Sequence, residues 1–151
     1  MPSALASGPK FRSIKGGSRG RMAPDFFITR GPLAAADFSG ANSGVNVFTA
    51  PAPCQFLDVT EIHTTAGTNS VRVKKIAAGE VDVPGAAADA DNVTISDDID
   101  LTVAAQTPMI YDAITDDAVN FLDTGDRVAL ASAAGTASLV GAIFTLRFAW
   151  L

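Results

Sequence analysis

The sequence predicts an all-β chain, a single jelly-roll-like β-sandwich behind an extended N-terminal arm, on three observations. Short runs rich in Val, Ile, Thr and Phe recur from Val45 to Trp150, each closed by Gly, Pro, Asn or Asp. No stretch carries the spacing of a long amphipathic helix. The charge is also divided: residues 1–30 set six basic residues against Asp25 alone, a balance of +5, whereas everything from Gly31 onward sums to −10. The 151 residues suffice for one domain, and 48% hydrophobic against 18% charged side chains excludes disorder throughout. The organisation read from this is an arm over residues 1–43 and a sandwich over residues 44–151.

The elements follow in order. Residues 7–21 are rich in Gly, Ser, Lys and Arg and cannot bury a core alone, so they read as extended arm. Residues 23–44 mix Phe26, Phe27, Ile28, Leu33 and Phe38 with Pro and Gly, too apolar for a free linker, and lie along a surface of this body or a neighbour. Val45, Val47 and Phe48 open the first sandwich strand. Residues 55–65 form the next, with Leu57 and Val59 on one face and a bulge before Ile62. Ala66-Gly67-Thr68-Asn69 is a turn, after which Val71 and Val73 alternate with Arg72 and Lys74 in a half-buried strand ending near Ile76.

Residues 79–92 read mostly as loop, extended at Val81 and Val83. Strands are then expected over residues 93–95, 99–103, 109–114, 127–133 and 137–150, with a turn over residues 121–126. The last strand carries the clearest pattern: Phe144, Leu146, Phe148 and Trp150 line one face as core or subunit contact, with Thr145 and Arg147 on the other. Short helices are allowed near residues 33–37 and 85–90, neither long enough to set the fold.

The residues argue against several chemistries. His63 is the single imidazole, in a strand-like stretch with no matched nucleophile, so it reads as a hydrogen-bonded strand residue. The lone Cys54 has no basic neighbour to activate it and reads as a small core residue. Asp89 and Asp91, then Asp97, Asp98 and Asp100, then Asp116, Asp117, Asp123 and Asp126 form acidic groups without the twelve-residue calcium-loop pattern. They read as a solvated rim. With one His and one Cys no zinc set can be assembled, and no glycine-rich phosphate-binding run opens a helix. The expectation is a protein that is not an enzyme and uses no cofactor or metal. No apolar run reaches the roughly 20 residues of a membrane helix, nor signal-peptide length, so no membrane partner is expected.

The arm is where a partner is expected. Lys10, Phe11, Arg12, Ile14, Lys15, Arg19, Arg21, Phe26 and Phe27 are the candidate contacts, the aromatic and aliphatic side chains as anchors and the cations as rim. Such an arm suits an acidic protein surface. Five charges spread among Gly and Ser are few for packaging nucleic acid, which makes nucleic acid the less favoured partner.

The run Gly44-Val45-Asn46-Val47-Phe48-Thr49-Ala50-Pro51-Ala52-Pro53-Cys54, followed by Val59-Thr60-Glu61-Ile62-His63-Thr64-Thr65-Ala66-Gly67-Thr68, resembles the opening of the β-sandwich head decoration (cement) proteins of tailed bacteriophages. Leu122-Asp123-Thr124-Gly125-Asp126-Arg127-Val128-Ala129-Leu130 and the strand from Leu139 to Phe148 resemble that family's closing half. The basic arm lies outside the resemblance, which spans Gly44 to Trp150. It implies a non-catalytic virion protein on the outer surface of the capsid, a homotrimer that binds and clamps the major capsid protein. Two other readings fit the residues: a shell-forming jelly-roll coat protein with a nucleic-acid-binding arm, and a carbohydrate- or receptor-binding module of a tail fibre.

Overall fold

A computed structural model describes residues 24–39, 44–115, 117–132 and 134–151. Among them, ten strands form two sheets: β1 (Asp25–Leu33), β2 (Gly44–Thr49), β3 (Cys54–Ile62), β4 (Ser70–Ile76), β5 (Asn92–Thr94), β6 (Ile99–Asp100), β7 (Met109–Asp112), β8 (Phe121–Leu122), β9 (Arg127–Ala131) and β10 (Ala142–Trp150). The first sheet runs β1-β10-β3-β7, with β8 also on β3. The second runs β2-β9-β4-β5, with β6 also on β4. Every pairing is antiparallel. The chain crosses between sheets at most connections, giving the paired Greek keys of a jelly roll, the fold class the sequence predicts.

Alternation along β10 makes the core. Ala142, Phe144, Leu146 and Phe148 are fully buried between the sheets, while Ile143, Thr145 and Arg147 face outward. The Phe148 ring lies 5.1 Å from Phe26 and from Phe48 and 5.7 Å from Phe56, so β1, β2, β3 and β10 meet on one side chain. Trp150 stacks on Phe26 at 4.1 Å. These rings close the edge where β1 of one sheet stands beside β2 of the other. Arg30 fastens the same edge, its Nε donating to the Asn46 carbonyl at 3.2 Å.

Three expectations need correction. The arm does not extend to residue 43: Asp25–Leu33 is an integral strand, paired residue for residue with β10 from Asp25↔Ala149 to Arg30↔Phe144. Behind it a 3-10 helix, Ala35–Phe38, buries Phe38 completely against Phe144. Gly31 and Pro32 form an irregularity at which β1 hugs β10. Gly31 has φ +138°, and a Cβ there would lie 2.5 Å from the Ala142 carbonyl oxygen. The sandwich therefore begins at Asp25.

The second correction concerns register. Leu57 is the unpaired residue of a bulge in β3, because Arg147 and Phe148 oppose Asp58 and Phe56. Cys54 and Phe56 point inward before it, Val59 and Glu61 after it, so the parity changes earlier than expected and Leu57 is not a core partner of Val59. Third, several ends move. The strand expected over residues 99–103 contracts to Ile99–Asp100, that over 109–114 to Met109–Asp112, that over 127–133 to Arg127–Ala131, and β10 starts at Ala142 after a turn. Phe121–Leu122 pairs with Cys54 and Gln55 instead of forming only a turn, and α1 (Asp117–Asn120) precedes it. Residues 85–90 form turns and no helix.

The convergence on one ring predicts a localised weak point. Phe148→Ala should cost about 3–5 kcal/mol, whereas Phe27→Ala, on the neighbouring strand but exposed, should stay within about 0.5 kcal/mol. Urea unfolding of the two variants checks this contrast.

Candidate functional site

The two outer faces of the sandwich differ. On the second sheet the outward residues Arg72, Lys74, Ile76, Arg127 and Ala129 lie beneath the segment over residues 79–91. Arg127 holds this roof through Nη2, which donates to the carbonyls of Glu80 (2.9 Å) and Asp82 (3.0 Å). Lys74 Nζ donates to the Ala86 carbonyl at 2.7 Å. Ile76 and Ala129 are fully buried as a result.

Among the described residues the first sheet has no such cover. Residues directly opposed across an antiparallel ladder share a face, which fixes three rows. Phe27, Arg147, Asp58 and Asp112 form one row across β1, β10, β3 and β7; Thr29, Thr145, Thr60 and Ile110 form the next. The third, Asp25, Ala149, Gln55 and Phe121, ends on β8. Phe27 is 61% exposed and Ile110 67%, with Phe121 and Ile143 also open to solvent. At the centre Arg147 holds both flanking strands: Nε and Nη2 donate to Asp58 Oδ2 at 3.0 and 2.5 Å, and Nη1 to Asp25 Oδ2 at 3.1 Å. Apolar tips, threonine hydroxyls and a central ion pair thus share this outer face.

Of the candidate contacts, Lys10, Phe11, Arg12, Ile14, Lys15, Arg19 and Arg21 lie outside the described residues. The other two part company. Phe26 turns inward into the aromatic cluster and holds the body together, so its role as a partner contact is corrected. Phe27 points outward onto the bare face and is available to a partner. Neighbours on a strand face opposite ways, so the pair could never act as one anchor. Sequence reasoning missed Ile110 and Phe121, which sit in short strands whose outward parity follows only from pairing, and Ile143, whose place in the row of Thr145 and Arg147 was already legible in β10.

His63 and Cys54 also have structural places. His63 is buried just after β3, its Nδ1 2.9 Å from Glu61 Oε2 and its Nε2 2.9 Å from the Val103 carbonyl. Its two ring nitrogens thus meet two different oxygens, a side-chain carboxyl and a backbone carbonyl. The backbone N–H of Gln106 donates to the His63 carbonyl at 2.8 Å. Together these contacts clamp the segment over residues 101–108 against the end of β3. Burial pushes the Glu61 carboxyl above its ordinary value, and the His63 hydrogen bond and charge oppose that rise. Glu61 was the missed partner. Two residues apart across a strand end, the two share a face, a spacing that would have revealed them.

Cys54 is fully buried, and burial, followed by the Asp126 charge, pushes its thiol up to about 11. A thiol so raised is neither nucleophile nor metal ligand near neutral pH. Asp89, Asp91, Asp97, Asp98, Asp100 and Asp123 are exposed, but Asp126 is buried and accepts from the backbone N–H groups of Ala78 (3.0 Å) and Asp123 (2.9 Å). Among the described residues no three His, Cys, Asp or Glu side chains are grouped to hold a metal ion, and no helix is long and apolar enough to cross a membrane.

No protein-family model matches the chain, and neither a curated protein nor a solved structure matches it. What the coordinates establish is the class: a jelly-roll β-sandwich with one roofed and one bare sheet.

The buried Glu61–His63 pair predicts a pH signature. A carboxyl whose native pKa is raised binds more protons folded than unfolded, so stability falls as pH rises from its ordinary 4.5 towards the native value. Glu61→Gln should remove that slope from the unfolding free energy measured against pH. His63→Ala, which strands a buried carboxylate, should cost about 3–5 kcal/mol near neutrality.

Proposed function

We propose that this protein decorates the head of a tailed bacteriophage, binding the exterior of the shell and clamping neighbouring major capsid subunits, in keeping with the family resemblance of residues 44–150. One observation carries the reading: the bare face of the first sheet begins at the strand into which the basic N-terminal segment runs. Residues 1–23 hold five cations and no acid, and they join the body next to Asp25, beside Phe27. A cationic segment and an apolar, threonine-lined face are thus adjacent in sequence at β1, and on this reading both engage the shell. The remaining body, acidic and rich in Thr, Ala and Asp, suits an exposed exterior.

The mechanism is mechanical. Contacts that are weak singly gain by effective concentration when a segment and a face engage together, and gain again in a homotrimer that presents three of each; linked sites raise avidity about 10²–10⁴-fold without any new contact. A rigid body with a tethered arm spreads load between subunits without chemistry. The jelly-roll strand order together with the basic arm also favours a second reading, a shell-forming coat protein whose arm meets nucleic acid.

Retention on heads separates the two. Added to heads that lack it, the full chain should bind and raise the temperature at which the genome is released. Loss of residues 1–22 should weaken binding by at least about tenfold, and Phe27→Asp should weaken it with unfolding unchanged. Cryo-EM density for the chain in the tail, or its absence from the mature head, overturns the reading. Salt-dependent binding of a residues 1–23 peptide to DNA would move the assignment to the coat protein.

A further inference from the structure

The roofed sheet holds a cavity of about 480 Å³ between β4, β9 and the segment over residues 85–88. Its size lies within the range of small-ligand sites. Arg72 and Lys74 line it, with no carboxylate in its wall, and hydroxyl groups come from Ser70, Thr94 and Ser132. Lys74 is only 6% exposed. It gives one of its three N–H donors to the Ala86 carbonyl, and no other hydrogen bond of its ammonium is described, which leaves two. Arg72 gives Nε to Asp98 Oδ1 at 2.6 Å, and its two Nη groups form the remaining edge of a planar fork.

A buried ammonium with unused donors is costly to maintain without an anionic partner. Burial and the Arg72 charge push the Lys74 ammonium below its ordinary value, and Asp82 and Asp89 pull the other way. Neither aspartate lines the cavity. Asp98 pairs with Arg72 from outside the wall, as Asp82 and Asp89 act on Lys74, so the wall itself presents the two cations and no carboxylate. A flat fork and an ammonium on one sheet face recognise a planar carboxylate.

We propose that this cavity is a binding site for a small carboxylate ligand of about monosaccharide size, held by the Arg72 fork and the Lys74 ammonium, with the Ser70 and Thr94 hydroxyls as secondary partners. The site is preorganised, because Arg127 and Lys74 already hold the roof in place. It is independent of the capsid reading and lies on the opposite sheet from the bare face.

The test is titration of the isotope-labelled full chain, followed by amide chemical shifts, with glucuronate, N-acetylglutamate, neutral glucose and inorganic phosphate as separate probes. Glucuronate or N-acetylglutamate should shift residues of β4, β9 and the roof, and their ratio says whether a sugar acid or an acidic amino acid is the better source of the carboxylate. Lys74→Met and Arg72→Gln should each weaken binding by about tenfold or more, a loss of at least 1.4 kcal/mol. Ala87→Trp, at an exposed roof position that also lines the cavity, should block it by volume with both cations intact. Glucose binding as tightly as glucuronate, phosphate binding more tightly than either carboxylate, or no shift at millimolar carboxylate each overturns the proposal. Failure here leaves head retention unchanged, and failure of head retention leaves this site standing.

Discussion

Phe148 is held from three strands, and that constraint orders the molecule. Its ring receives Phe26 from β1, Phe48 from β2 and Phe56 from β3, so the ends of both sheets are fastened through one side chain. One residue earlier, Arg147 points the opposite way and binds carboxylates on both neighbouring strands, Asp25 and Asp58. A single dipeptide therefore serves the inside and the outside of the first sheet at once. The bulge at Leu57 makes this possible: without the extra residue in β3, Phe56 and Asp58 could not both meet their partners on β10.

From that registration the two outer faces acquire different roles. On the first sheet the ion pairs fix strand positions at the surface without covering it, so Phe27, Ile143, Ile110 and Phe121 stand out on a rigid ground. Exposed ion pairs add little stability, and the value of Arg147 lies in geometry. On the second sheet the residues 79–91 segment is drawn down by side chains that reach up from the strands. Arg127 ties two roof carbonyls and Lys74 a third. Carbonyls that a loop would otherwise leave to water become the means by which the loop is held.

The sandwich was legible from alternation, because Phe144, Leu146 and Phe148 bury and Thr145 and Arg147 do not, and the all-β class followed from many short runs. Where the pattern broke, local reading failed for a physical reason. Gly31-Pro32 looks the same whether it ends a linker or relieves a strand that must approach its neighbour closely, and only the pairing with β10 separates the two. Leu57 is apolar and lies in a strand, yet the bulge removes it from the alternating set. The contact face was half visible. Phe27 was in view, but its direction depended on which of two adjacent phenylalanines the core takes, and that is decided by Phe48 and Phe148 from distant parts of the chain. The cavity was not visible at all, since it arises from a roof whose Ala-rich sequence carries no signal of its own.

The integration of β1 changes how a basic segment can act. Had the body begun at Gly44, Arg21 would stand 23 residues and Lys10 34 residues from it, and effective concentration falls roughly as the −3/2 power of linker length once the span is exceeded. With Asp25 locked against Ala149, the last cation before β1, Arg21, stands four residues from the sheet in sequence, and Phe27 lies on the adjoining face. Under the proposed function the segment and the face act on one partner surface, not on two distant ones. Pull on the segment is delivered along β1 into the β10 ladder and the Phe148 cluster. Load along a strand edge-paired over several residues is shared by many hydrogen bonds at once, which is the arrangement a clamp needs.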